Sequence, residues 1–136
     1  MNMFQFRNFN VMVDYAHNPA GFQAIARFLE KIEAKPKVGI IAGVGDRRDE
    51  DIIQLGTIAS QMFDEIIIRQ DKNLRGRGED EIIELMMRGI QSDDAKKKVT
   101  IMPKESEAID HAIKNEKKVK QKDLKLDREI IFQNVF

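Results

Sequence analysis

The sequence predicts an α/β fold, a three-layer domain with a mainly parallel sheet and helices on both of its faces. Two observations predict it. Four short runs are β-branched and almost free of polar residues, as strands buried on both faces require. Between them lie segments whose apolar residues recur every three or four positions, each long enough for a crossover helix. Alternation of that kind closes onto one sheet through right-handed crossovers.

The elements follow in order. Val11-Met12-Val13 is the first apolar run, and Asn18 and Pro19 then supply an N-cap and a first helical residue. Phe22, Ile25, Ala26, Leu29 and Ile32 share one face of that helix. Val38-Gly39-Ile40-Ile41-Ala42 is the second run, followed by a stripe of Ile52, Leu55, Gly56, Ala59, Met62 and Phe63. Glu65-Ile66-Ile67-Ile68 is the third, followed by Ile82, Ile83, Met86, Met87 and Ile90 at helical spacing. Val99-Thr100-Ile101-Met102 precedes a fourth helix carrying Ala108, Ile109, Ala112 and Ile113. Strands near residues 10–14, 37–42, 64–69 and 98–102 are therefore expected to lie parallel. Residues 129–132 make only a poor last strand, and residues 114–136 read as an atypical tail. The architecture is Rossmann-like, with ligands expected beyond the carboxyl ends of the strands.

Composition narrows the class. A chain of 136 residues, 42% hydrophobic and 34% charged, suits one domain spanning residues 1–136. No run approaches 18 apolar residues and the first ten lack a signal-peptide core, so neither a membrane nor secretion is expected. Without cysteine there is no disulfide framework or thiolate chemistry, and His17 and His111 are too few for a histidine-rich metal site. A cytoplasmic protein is the expectation. Charge is uneven: residues 1–95 carry 12 Lys/Arg against 16 Asp/Glu, residues 96–136 carry 11 against 7. The basic stretch 114–128 has no interleaved aromatic residue for base stacking, so a solvated helix end is favoured and no nucleic acid is expected.

Three loops carry the candidate chemistry. The first reads Asp14-Tyr15-Ala16-His17-Asn18-Pro19, between a strand and a helix. Asp14 suits ribose hydroxyls, His17 suits a base, and the helix amides beyond Asn18 suit an anion. The alternative is a cap, a packed histidine and a strand end. The second loop holds Gly43-Val44-Gly45-Asp46-Arg47-Arg48 but matches neither G-x-G-x-x-G nor the P-loop. Asp49, Glu50 and Asp51 follow in the first helical turn, where carboxylates complement the helix dipole and repel a phosphate. Asp46, Arg47 and Arg48 then face a polar ligand, or the glycines only permit a tight turn. The third loop gathers Arg69, Lys72, Arg75 and Arg77 around Asp71. Arg75 and Arg77 offer planar forks for a carboxylate or phosphate. A plain solvated loop is the alternative.

These loops, in this order, resemble the C-terminal domain of the Mur ligase family. Residues 14–19 resemble its D-[YG]-A-H-[NT]-P signature, Gly43 to Arg48 its glycine-rich G-x-G-D-R loop, and Asp71…Arg75 the place of D-N-P-R. Over residues 10–113 the text is most similar to the cyanophycin synthetase branch. The resemblance implies ATP-dependent amide-bond formation, with ATP and Mg bound mainly by a central P-loop domain that the chain does not include. It implies that Asp14, Tyr15, His17 and Asn18 face the nucleotide, and that Asp46, Arg47, Asp71, Arg75 and Arg77 face substrate. Arginine and an aspartate polymer are the partners implied for the full enzyme, and no catalytic residue is assigned here. Arg-Gly-Arg in the third loop, in place of Asn-Pro-Arg, favours that branch over a peptidoglycan or folate ligase. A non-catalytic nucleotide-binding module is the alternative from another class. Without G-x-x-x-x-G-K-[ST], the chain is expected to be a fragment of a larger ligase, inactive alone.

Overall fold

Residues on successive positions of a strand point to opposite faces, so an unbroken apolar run needs an apolar layer on each side. The computed structural model supplies both layers. It describes residues 2–5, 9–33, 36–43, 47–70, 74, 76–78, 80–91, 98–120 and 129–134. The elements are β1 (Asn2–Gln5), β2 (Phe9–Asp14), α1 (Pro19–Glu30), β3 (Lys37–Ile41), α2 (Asp49–Met62), β4 (Glu65–Ile68), α3 (Glu81–Gln91), β5 (Lys98–Ile101), α4 (Glu105–Lys120) and β6 (Glu129–Asn134). They form one six-stranded sheet in the order β1-β2-β6-β3-β4-β5. β1 pairs antiparallel with β2, and every other pairing is parallel. The four expected strands are parallel, with α1 to α3 on one face and α4 on the other.

Alternation along β3 and β4 sorts the core. Ile41, Ile66 and Ile68 pack with Phe22, Ile25 and Leu29 of α1, Ile52 and Leu55 of α2, and Ile82, Met86 and Ile90 of α3. Val38, Ile40 and Ile67 pack on the opposite face with Ala108 and Ala112 of α4. The division of helices follows from handedness. The chain steps from β2 through β3 and β4 to β5 in one direction across the sheet, then returns from β5 to β6. A right-handed crossover that reverses direction must pass over the other face, which is where α4 lies. Among the described residues no helix is long and apolar enough to cross a membrane.

Two strands differ from expectation. β6 extends from the weak 129–132 segment to Asn134 and sits between β2 and β3, pairing with both. The segment expected as an atypical tail thus starts within α4 and supplies an interior strand. β1 was not among the expected strands. All four of its residues are exposed, so burial left no pattern in its sequence.

The closest packing is between α2 and α3, and glycine permits it. A Cβ at Gly56 would drive into the Met86 carbonyl, and one at Gly89 into the Ile53 carbonyl. The Thr57 hydroxyl lies 3.2 Å from both the Ile53 and Gly89 carbonyl oxygens, to either of which it can donate. Gly39 serves similarly on β3, because a side chain there would strike the buried Phe63 ring. Gly89→Ala is expected to lower stability by about 1–3 kcal/mol through overpacking, despite the roughly 1 kcal/mol by which alanine favours a helix over glycine. Urea unfolding of the purified chain measures it.

Candidate functional site

Strand register sets the edge at which the loops meet. Ile41 of β3 pairs with Ile68 of β4, and Ile68 with Ile101 of β5. Ile40 pairs with Gln133 of β6, and Asp14 of β2 with Asn134. Asp14, Asn134, Ile41, Ile68 and Ile101 therefore form one row along the carboxyl edge of the sheet. The chain leaves that row into all the candidate loops. The β4 and β5 exits are tied together there, with the Met102 amide donating to Ile68 O (2.9 Å) and the Gln70 amide to Pro103 O (3.1 Å).

The first loop is held by its own polar side chains. Asp14 Oδ1 accepts from the Ala16 amide at 2.8 Å, which turns the chain off the strand. His17 Nδ1 lies 2.9 Å from the Tyr15 carbonyl, so Nδ1 carries the proton in that bond. Asn18 Oδ1 accepts from the Gly21 amide at 2.8 Å and caps α1, with Pro19 as its first residue. Ala16 is buried, whereas Tyr15 is 68% exposed and presents its ring to solvent. Asp14, Tyr15, His17 and Asn18 are thus gathered on one short turn beyond β2. β6 separates this turn from the second loop, a span of two strand spacings or about 10 Å.

The second and third loops are joined by Arg77. Its Nη1 lies 2.8 Å from Asp49 Oδ1 and 3.3 Å from Glu81 Oε1, and its Nη2 donates to the Arg47 carbonyl at 2.7 Å. The hydrogen bond that Arg77 donates to Asp49 raises the affinity of its guanidinium for its proton, outweighing its partial burial. Arg48, largely exposed, forms a fork with Asp51 through Nε at 3.2 Å and Nη2 at 3.1 Å. α2 starts at Asp49, and the three expected carboxylates, Asp49, Glu50 and Asp51, occupy its first turn. Of the expected substrate-facing residues, Arg47 and Arg77 are brought together. Asp46, Asp71 and Arg75 lie outside the described residues.

Arg69, one of the cations of the third loop, has no role assigned to it from the sequence alone. It is only 6% exposed, directly beyond β4, and its amide donates to Ile41 O at 2.9 Å. A charge placed immediately after Ile66-Ile67-Ile68 was the available signal. Among the described residues no three His, Asp or Glu side chains converge as a metal site.

Comparison with known proteins names the class that this fold and edge define. Residues 1–124 match the family described as Mur ligase, glutamate ligase domain, and the chain belongs to that family. Cyanophycin synthetases are among its similar relatives. That of Geminocystis herdmanii is 42% identical over 114 residues, 84% of this chain and 13% of the relative. The chain thus spans about an eighth of that protein's length. A UDP-N-acetylmuramoyl-L-alanyl-D-glutamate–2,6-diaminopimelate ligase of Buchnera aphidicola is 34% identical over 106 residues, 77% of this chain and 20% of the relative. A solved structure of a ligase of that same name superimposes with a TM-score of 0.77 at 18% identity, covering 98% of this chain and 25% of that one. It establishes likeness of fold.

Two outcomes test the local geometry. Asn18→Ala removes the α1 cap and should cost about 1 kcal/mol in unfolding experiments. Asp51 is held below the ordinary aspartate range, chiefly by the hydrogen bonds from Arg48. A carboxyl group lowered in the folded state stabilises the fold above its unfolded value, about 3.9, and that contribution is lost as pH falls through the lowered one. An NMR titration should give Asp51 a midpoint below 3.9 or so, and Arg48→Gln should move it upward.

Proposed function

We propose that the chain is the C-terminal, site-closing domain of an ATP-dependent amide-bond-forming ligase of the cyanophycin synthetase kind. The likeness to cyanophycin synthetases over 84% of the chain is the observation that carries this reading. The arrangement of the loops supports it, since the candidate residues leave one edge of a parallel sheet, where ligands of such sheets bind.

In this reading ATP transfers its terminal phosphoryl group to an aspartate side chain of the polymer. The α-amino group of arginine then attacks the acyl carbon, and the tetrahedral intermediate expels inorganic phosphate as the amide bond forms. ATP and magnesium are held mainly by the central domain of the full enzyme. On this chain, Asp14 takes the ribose hydroxyls, His17 and Tyr15 the base, and Asn18 holds the turn beneath them. Asp46 or Asp71 pairs with the substrate guanidinium, and Arg75 with its α-carboxylate through a planar fork. Arg47 contributes positive charge beside the acyl phosphate as it is displaced, with Arg77 bound to its carbonyl behind it. The acidic first turn of α2 argues against a phosphate cradle at that helix.

The domain is inactive alone in this reading, because phosphoryl transfer needs a phosphate cradle, a lysine and a held magnesium ion. Incubating the purified chain with ATP, magnesium, arginine and an aspartate-polymer primer should release phosphate far more slowly than about 1 per second. Faster release that Asp14→Ala abolishes would mark a complete enzyme. Nucleotide affinity near millimolar, about 4 kcal/mol, should appear as shifts of the 14–18 amides and be lost in Asp14→Ala. A diaminopimelate ligase domain is the second reading, supported by the 34% identical relative. Shifts on adding 2,6-diaminopimelate but not arginine would favour it.

A further inference from the structure

Arg77 is built into the fold differently from a residue that simply faces a ligand. Its side chain is only 16% exposed, although it belongs to a loop. Three acceptors from two separate segments surround it: the Arg47 carbonyl and Asp49 carboxylate beyond β3, and Glu81 at the start of α3. The local chain is shaped to bring it there. Leu74 packs against the main core, Gly76 takes φ of +85°, and the Arg77 amide then donates back to Leu74 O at 3.1 Å. A side chain at Gly76 would be strained at that φ whatever the space around it. The two segments also touch below the clamp, since a Cβ on Gly43 would come within 2.7 Å of Ile82 Cγ2.

The residue held by this clamp is itself unusual. Arg47 has its carbonyl fixed by Arg77, while its buried Nε has no hydrogen-bond partner among the described residues. A buried guanidinium donor left in that state costs free energy that an anionic ligand would offset.

We propose that Arg77 is a positioning residue that fixes the Arg47 backbone against the start of α3, so that the Arg47 side chain is presented to the amino-acid substrate in one orientation. The substrate part of this inference rests on the function proposed above; the coupling of the loops does not. Arginine suits the role because its planar fork reaches acceptors in two directions, whereas a lysine ammonium concentrates its charge at one point. Lysine at this position keeps the charge beside Asp49 and Glu81 but loses the bond to the Arg47 carbonyl.

Hydrogen exchange on the purified chain tests the coupling. In Arg77→Lys the Asp51 and Ile52 amides, which donate to the Arg48 carbonyl, should exchange about tenfold faster through local opening. The Phe22 amide, bonded to Asn18 O at the start of α1, and the β4 amides should keep their rates. Asp49→Asn should give the same pattern from the other side of the clamp, which preserves the test if Arg77→Lys folds poorly. Unchanged rates at residues 51 and 52, or an equal rise at Phe22 and in β4, would overturn the proposal. Arginine, followed by amide shifts, is the probe for the substrate part. Its affinity should fall about tenfold in Arg77→Lys and in Arg47→Ala, and no further in the double variant, because the two act through one route. Additive losses would overturn the positioning role. If the unaltered chain does not bind arginine, the substrate assignment fails, and the exchange rates still decide the coupling.

Discussion

Burial of β3 and β4 on both faces is the constraint from which the rest of the structure follows. Val38, Ile40 and Ile67 require cover on one side, and Ile41, Ile66 and Ile68 on the other. Hairpins alone supply no covering layer to either face. Crossover helices satisfy both, and they force the strands to run parallel. Parallel strands in turn send every outgoing loop to the same edge. The site is therefore a by-product of core burial: the same apolar runs that stabilise the sheet gather Asp14, Arg47 and Arg69 along one rim.

At that rim the charge is divided by role. Carboxylates occupy the start of α2, where the helix dipole favours them, and Asp49 is engaged with Arg77. The amino end of α2 is thus taken up by its own carboxylates and by Arg77. That division separates this domain from Rossmann folds that cradle a phosphate at a helix amino end. The α2–α3 packing underlies the arrangement. Gly56 and Gly89 let the backbones of the two helices approach directly, at Ile53–Thr57 of α2 and Met86–Ile90 of α3.

Most of the fold was legible in the sequence, since strands buried on both faces and amphipathic helices leave strong periodic patterns. Asn18 and Pro19 marked a helix start that the structure reproduces to the residue. β1 was not legible: an exposed edge strand of four residues buries nothing, so selection by packing wrote no alternation into it. β6 was underestimated because its neighbourhood is highly charged and only a short apolar stretch stands out. Its place in the sheet depends on two partners far away in sequence. At the site, the residue types were readable and their pairings were not. Arg77 and Asp49 lie 28 positions apart, and nothing local distinguishes an arginine that clamps its own chain from one that awaits a ligand.

The position of β6 has a consequence for how the molecule is made. β2 and β3 are joined only through residues 129–134, so the sheet stays in two pieces until β6 has been synthesised. At about 5–20 residues per second, roughly five to twenty seconds pass between synthesis of β3 and of β6. Throughout that interval β2 and β3 each expose an unpaired backbone edge, the surface on which strands of other molecules add. The nascent chain is therefore most vulnerable in the middle of its own sheet, and a chaperone that shields that gap would matter more here than one that covers the finished surface.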